Sequence, residues 1–209
     1  LSTALKEEWY QPMNDYVTDE FLETLDPSVF EEGVTMKGED LYTITEGIPV
    51  VNCLFFYNQD VLDQAGVTKI PATYSEFVDA CKHITESGNA EVYGLIEGGK
   101  QLNRLDTLAR SFAAVGGGKI APTSKVLTVD GKAPYDSAAM NEAMALMAQL
   151  VSDGSVHPDT VNISAPEARE MFAQGQAGFL CQGMWCIPPW SQSYPDLNYG
   201  VMAVPVPDD

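Results

Sequence analysis

The chain has 209 residues, of which 30 are acidic and 11 basic, so its formal net charge at pH 7 is -19. Nucleic acids and anionic membranes bind through clustered lysine and arginine, and no such cluster exists here, so neither partner is expected. No apolar run reaches the roughly 20 residues that span a bilayer. The first residues, LSTALKEEWYQP, lack the basic and then apolar pattern of a signal peptide.

The cysteine and histidine content argues against a metal site. The cysteines are Cys53, Cys81, Cys181 and Cys186, and the histidines are His83 and His157. None of the cysteines forms a CxxC pair and there are only two histidines, so we expect no zinc site. We also expect no other metal and no cofactor. We expect free, mostly buried thiols, and we leave a bond between Cys181 and Cys186 open.

The first third of the chain predicts few regular elements. Residues 15–32 are polar and helix-prone and are broken by Pro27. Turn residues and an extended stretch follow at 37–50. The run VVNCLFFY at 50–57 is almost entirely apolar and rich in β-branched and aromatic residues, which predicts a buried strand.

A helix is predicted from Thr73, which can cap it and form a capping box with Glu76. Its apolar face consists of Phe77, Val78, Cys81 and Ile84, and Gly88 ends it. A short strand at 91–99 runs into a loop. A second helix follows at 103–115, with Asn103 as the candidate cap and Gly116 as the stop.

The pattern of the remaining chain predicts alternating helices and strands. Asp130-Gly131 predicts a hairpin turn within 125–137. A helix is predicted at 137–152, with an apolar stripe made of Met140, Ala143, Met144, Met147, Leu150 and Val151.

The last quarter opens with a capping box from Ser164 to Glu167, which predicts a helix that ends at Gly175. Strands follow at 177–181 and within 199–207, and Pro188-Pro189 is expected to turn the chain between them. The alternation of helices and strands favours an α/β layered fold.

Four separated segments resemble, in order and spacing, the extracellular solute-binding proteins of ABC transporters, of the sugar-binding type. They are QPMNDYVTDEFLETLDPSVFEEG at 11–33, LFFYNQDVLDQAGVTKIPATYSEFVDACKHI at 54–84, EAREMFAQGQAGFLCQGMWCIP at 167–188 and YGVMAVPVP at 199–207. The resemblance covers about residues 10 to 207.

This resemblance implies a two-lobed, periplasmic-binding-protein-like α/β fold that binds a mono- or oligosaccharide in the cleft between its lobes. Such a protein is non-catalytic, delivers its ligand to an ABC permease, and lies outside the cytoplasm, in the periplasm or on a lipid anchor. Members are about twice as long, so the resemblance implies a truncated chain that is monomeric in its full-length form. Residues 1–63 would be part of the first lobe, up to the hinge crossing. Residues 64–209 would form the second lobe, a small mixed sheet flanked by helices.

Trp185 matches the tryptophan of the family's Gly-Pro-Trp motif, whose ring commonly contacts ligand. Met184 stands where that motif has proline, and we attribute Gly183 to backbone freedom before the ring. Trp190 matches no motif, and we expect it to pack in the core. A core position for Trp185 is the alternative.

The other candidate ligand-binding residues are polar. Asn52 lies in the segment that approaches the hinge, and the loop at 97–106, after the strand that ends at Ile96, supplies Glu97, Gln101, Asn103, Arg104 and Asp106. Sugar sites need such planar polar groups beside an aromatic ring. The competing interpretation makes Asn103 and Asp106 helix-capping residues and Arg104 a solvated charge.

Enzymatic motifs are missing from the sequence: there is no GxSxG, no P-loop, no GxGxxG after a strand and no HExxH. A non-catalytic function is therefore favoured. The alternatives are a secreted carbohydrate-active hydrolase and an adhesion module that binds a protein.

Overall fold

The structure is a computed structural model that describes residues 2–44, 54–89, 91–117 and 137–208. The chain divides into two compact units, Leu1–Val50 and Val51–Asp209. The predicted hairpin at 125–137, Asn52 and Cys53 lie outside the described residues. Within the described ranges, no helix is both long enough and apolar enough to span a bilayer.

The first unit contains short elements. They are α1 (Ser2–Lys6), α2 (Asp19–Leu22), β1 (Met36–Lys37) and β2 (Asp40–Leu41), with single turns of 3-10 helix at Asn14–Tyr16 and Pro27–Val29. The two strands pair antiparallel. Its buried residues, among those described, are Thr35 and Leu41. The Thr35 hydroxyl donates to Val29 O (2.7 Å) and accepts from Glu31 N (2.8 Å), so a polar side chain organises this unit.

The second unit is an α/β structure around a four-stranded mixed sheet. Its elements are β3 (Leu54–Asn58), α3 (Gln59–Ala65), α4 (Tyr74–Ser87), β4 (Tyr93–Ile96), α5 (Leu102–Val115), α6 (Ala138–Ser152), α7 (Ala165–Ala173), β5 (Ala177–Gln182), α8 (Ile187–Ser193) and β6 (Tyr199–Met202). The strand order is β4-β5-β3-β6. Strand β3 is antiparallel to both neighbours, whereas β4 and β5 are parallel.

The predicted boundary after residue 63 does not coincide with the division between the units. Strand β3 is an inner strand, paired with β5 on one side and β6 on the other, so it belongs to the second unit. The Asn58 side chain accepts from Val61 N (3.2 Å) and thereby caps α3, which follows directly. These contacts place 54–63 with the later chain.

A hydrophobic core lies on each face of the sheet. Phe55 packs with Phe77 and Phe112 in a cluster that also draws on α3 to α6. Phe56 packs with Phe172 and Trp190, together with other residues of α7, β5 and the start of α8. Successive side chains of β3 therefore point to opposite faces of the sheet and pack in different cores, as the pleat of a strand requires. Trp190 is a core residue, as predicted from the sequence.

Several helix ends follow the predicted capping chemistry. Thr73 accepts from Glu76 N at the start of α4, and Ser164 and Glu167 form a reciprocal capping box at the start of α7. Helix α5 differs: it begins at Leu102, so Asn103 lies inside the first turn and is not the cap. The N-cap position belongs to Gln101, whose side chain caps no N–H of that helix.

The helices α6 and α8 also depart from the predictions. In α6, Leu146 is buried, whereas Met144 and Val151 of the predicted stripe are exposed, because the apolar face follows 139, 143, 146 and 150. Pro188 and Pro189 lie in the first turn of α8 and do not break it. The first-turn N–H groups have no partner within a helix, so proline is tolerated there.

The expectation of free thiols is wrong for Cys181, which is disulfide-bonded. Cys81 and Cys186 are free and buried. A bond between Cys181 and Cys186 does not form.

Candidate functional site

A pocket of about 490 Å³ lies in the second unit. It is lined by residues at the start of α5, in the first turns of α7 and at the end of β5. Strands β4 and β5 are parallel, so their carboxyl ends lie at one edge of the sheet, the usual position for ligands in α/β folds. The polar and aromatic side chains of the pocket are Gln101, Asn103, Arg104, Asp106, Thr107, Arg169, Gln182 and Trp185. Five of these eight were predicted from the sequence.

Close packing of a loop brings the starts of α5 and α7 together. A Cβ at Gly98 would lie 2.3 Å from Ala165 N, so only glycine lets the loop approach α7 this closely. The Gln101 side chain then accepts from Ala165 N (3.0 Å). This bond explains why Gln101 does not cap its own helix.

Trp185 is 41% exposed, and it forms part of the pocket wall. It lies against Gly183, where a Cβ would be 2.3 Å from two ring carbons. Gly183 has φ of -84°, which any residue can adopt. The sequence-based reason for this glycine was therefore wrong: it is required by the approach of the ring, and not by backbone freedom.

A buried polar network supports the pocket from beneath. Glu97 Oε1 accepts from Gly98 N (2.9 Å), from Arg104 Nε (3.3 Å) and from Gln182 Nε2 (3.1 Å). Arg104 also donates to the main-chain oxygen of Cys181 (2.5 Å). The network ties the start of α5 to the end of β5. Arg104 is thus a buried structural cation, and not the solvated charge of the competing interpretation.

Burial raises the pKa of Glu97, since the charged carboxylate has lost its water. The guanidinium of Arg104 and the N–H donors of Gly98 and Gln182 oppose this effect without reversing it. Glu97 is 1% exposed and lies beneath the pocket, outside its lining.

Two further predicted residues flank the pocket without lining it. Gly183 is buried, and Met184 is exposed beside Trp185.

Asn103 and Gln101 are exposed at the start of α5, within the lining. Asp106 accepts from Arg110 Nε (2.8 Å), one turn further along the same helix.

Sequence reasoning missed Gln182 and Arg169, which both line the pocket. Gln182 is the polar last residue of an apolar strand, directly before Gly183, and this position could have indicated it. Arg169 lies in α7, and its guanidinium hydrogen-bonds to the Cys186 thiol. Among the described residues, no carboxylate lies within the 4.0 Å ion-pair distance of Arg169.

The thiol of Cys186 stays neutral under ordinary conditions. Burial raises its pKa to about 11, and the hydrogen bond and charge of Arg169 offset only part of this increase. Over the part of the chain that the structure describes, no group of three or more histidine, cysteine, aspartate or glutamate residues could hold a metal ion.

A family model for bacterial extracellular solute-binding proteins matches residues 2–209. Binding proteins of Brucella abortus (strain 2308) and Brucella suis biovar 1 (strain 1330) are each 27% identical to the chain over 203 residues. The match covers 93% of this chain and 44% of each relative, so the chain spans less than half of their length.

Solved structures share the fold. An ABC transporter solute-binding protein from Thermotoga lettingae, bound to α-D-tagatose, has a TM-score of 0.71 at 24% identity, over 97% of this chain and 50% of that one. One from Agrobacterium radiobacter K84, in complex with ribitol, has a TM-score of 0.70 at 18% identity, over 98% and 50%. The predicted fold class, α/β and periplasmic-binding-protein-like with a small mixed sheet flanked by helices, is confirmed.

Proposed function

Because the chain belongs to the bacterial extracellular solute-binding protein family, we propose that it binds a mono- or oligosaccharide without converting it and delivers it to an ABC import permease. The observation that carries this proposal is the half-exposed Trp185 in a pocket whose other lining side chains, apart from Ala165 and Pro166, can form hydrogen bonds. The pocket would form one wall of a cleft between lobes.

The chemistry of the pocket suits a sugar. The C–H face of a pyranose packs on a flat aromatic ring, and its hydroxyls both donate and accept hydrogen bonds. The amides of Gln101 and Asn103 offer a donor and an acceptor each, and Asp106 offers acceptors. The tagatose and ribitol named for two structural relatives are polyhydroxylated solutes of the same kind.

The disulfide of Cys181 supports a location outside the cytoplasm, because disulfides persist in oxidising compartments. We extend the proposal to a periplasmic or lipid-anchored protein whose partners are the sugar and the permease, and which is monomeric in its full-length form. The lobe assignment, with 1–63 in the first lobe and 64–209 in the second, is part of the same proposal, although the compact units divide earlier.

Replacement of Trp185 tests the proposal directly. We expect Trp185→Ala to weaken sugar binding by about 1 to 3 kcal/mol, the usual scale for an aromatic contact at a binding site. Isothermal titration calorimetry against a panel of mono- and oligosaccharides measures this change. Trp9→Ala is the matched control, because Trp9 is an exposed tryptophan of the first unit that is not in the pocket lining.

Unchanged affinity in a folded Trp185→Ala protein would overturn the role of the ring. Incubation with oligosaccharides separates the other functions: release of shorter products indicates a hydrolase, and saturable binding without products supports the proposal. If no small solute raises the melting temperature, a module that binds a protein becomes the better explanation.

A further inference from the structure

Arg169 contributes an uncompensated positive charge to the pocket. The other two arginines near it are paired, Arg104 with Glu97 (3.3 Å) and Arg110 with Asp106 (2.8 Å). Arg169 instead contacts a thiol that stays neutral, and no described carboxylate lies within ion-pair distance of it. This is unexpected in a chain of net charge -19, where acidic partners are abundant.

The start of α5 adds to the positive potential of the pocket. This helix has 14 residues, and the side chain of its N-cap residue, Gln101, does not cap its first N–H groups. Helix α7 begins beside it but is closed by the box of Ser164 and Glu167. The uncapped end of α5 therefore favours a negatively charged group, because the partial charge at a helix N-terminus is positive.

Gln182 supplies a separate indication of a ligand. The residue lines the pocket and is 1% exposed, and its Oε1 has no hydrogen-bond partner among the residues that the structure describes. The orientation of the amide is fixed, since its Nε2 donates to the Glu97 carboxylate, which only accepts. A buried acceptor without a partner costs free energy, so a hydroxyl that donates to it would be bound favourably.

From these three features we propose that the pocket selects a sugar acid, a hydroxylated ring that carries a carboxylate. The carboxylate binds Arg169 and the start of α5, a ring hydroxyl donates to Gln182, and the ring face packs on Trp185. One uncompensated cation matches a singly charged carboxylate better than a doubly charged phosphate. This inference rests on the proposed sugar-binding function and narrows its substrate class.

Matched ligand pairs test the inference by isothermal titration calorimetry. We expect galacturonate and digalacturonate to bind roughly tenfold or more tightly than galactose and galactobiose, the scale of a charge-assisted hydrogen bond. This preference decreases as salt is added, because an exposed charge pair is screened. Galactose 6-phosphate is the comparison for a doubly charged sugar and is expected to bind less tightly than galacturonate.

Variants of Arg169 give the second measurement. Arg169→Gln removes the preference for the acid over the neutral sugar, and Arg169→Lys, which keeps the charge, retains part of it. Lys100→Gln is the matched control: it removes the same charge from an exposed residue outside the pocket lining, and the preference persists.

Equal affinity for acidic and neutral sugars would overturn this inference and leave the proposed function intact. Tighter binding of the sugar phosphate would also overturn it. If neither acidic nor neutral sugars bind, the proposed function fails as well. Should Arg169→Gln fail to fold, the salt dependence of the unaltered protein still decides the question.

Discussion

The guanidinium of Arg104 and the carboxylate of Glu97 form an ion pair whose side chains are only 8% and 1% exposed. Arg104 Nε lies 3.3 Å from Glu97 Oε1, and Arg104 also donates to the end of β5. The pair joins the loop after β4, the start of α5 and the end of β5. It therefore fixes the elements on which the pocket is built.

Removal of one partner of this pair is expected to be strongly destabilising. Arg104→Met leaves the Glu97 carboxylate buried without its cation, which costs about 3 to 5 kcal/mol of the free energy of unfolding. Urea titration measures the loss. The double variant Glu97→Gln with Arg104→Met recovers part of it, since no buried charge then remains.

Lys82→Met is the control for this experiment. Lys82 and Glu86 form an exposed pair at 4.0 Å on α4, and such pairs contribute about 0 to 1 kcal/mol. If Arg104→Met costs no more than Lys82→Met, the buried pair does not stabilise the fold in the way we infer.

The raised pKa of Glu97 predicts a specific dependence of stability on pH. The folded protein retains the Glu97 proton at a pH where the unfolded chain has already released it, so this residue favours folding most at low pH. Its contribution declines as the pH rises from the ordinary value of 4.5 through the raised pKa. Urea titrations across this range, with Glu97→Gln as the reference, isolate the contribution.

The unaltered protein should lose stability relative to Glu97→Gln as the pH increases through that window. In Arg104→Met the decline extends to higher pH, because the cation that lowers the pKa is gone. A difference between the proteins that does not vary with pH would contradict this assignment.

Gly183→Ala is expected to displace the ring of Trp185, because the added methyl group overlaps two ring carbons. The ring is partly exposed and can move, so sugar affinity falls by up to about 1 to 3 kcal/mol while the fold persists. Calorimetry and a shifted tryptophan emission report the change. Gly116→Ala is the control, since its nearest neighbour would be at an ordinary 3.4 Å. Equal effects of the two substitutions would argue against the proposed packing.

The free thiols are expected to react slowly with an aromatic disulfide reagent in the native protein. Cys81 is fully buried, and burial raises the pKa of Cys186 to about 11, so little thiolate is present at neutral pH. The rate should increase as the pH approaches that value. Arg169→Gln should slow Cys186 further, because Arg169 lowers the pKa of the thiol. Rapid labelling of Cys186 at neutral pH would contradict its burial.

Local signals in the sequence were sufficient to predict many of the helices and strands. They also identified five of the eight polar and aromatic residues that line the pocket. Thr73 and the pair Ser164 and Glu167 marked helix starts through chemistry that acts over three residues. Trp185 and the polar residues of the α5 start meet in one pocket, as their positions relative to strand ends suggested. The structure brings these residues together, and their role in binding stays a prediction.

Long-range contacts explain what the sequence did not reveal. The position of β3 in the sheet depends on partners more than a hundred residues away, so local patterns could not show that it is an inner strand. The side chain of Gln101 accepts from Ala165 N in α7 and does not cap α5. This long-range bond is not visible in the sequence, where Asn103 was the candidate cap. The importance of Arg169 becomes visible only in the structure, where no described carboxylate lies within ion-pair distance of its guanidinium.

The order of strands also governs when this unit can fold. β3, the first strand of the sheet, pairs with β6, more than 140 residues further along the sequence, as in the pair Phe55 and Met202. During synthesis, the edge of β3 that faces β6 has no partner until β6 has been made. Sheets closed by such distant pairing fold slowly. A nascent or C-terminally shortened chain would therefore expose that edge of β3 to pairing with other chains.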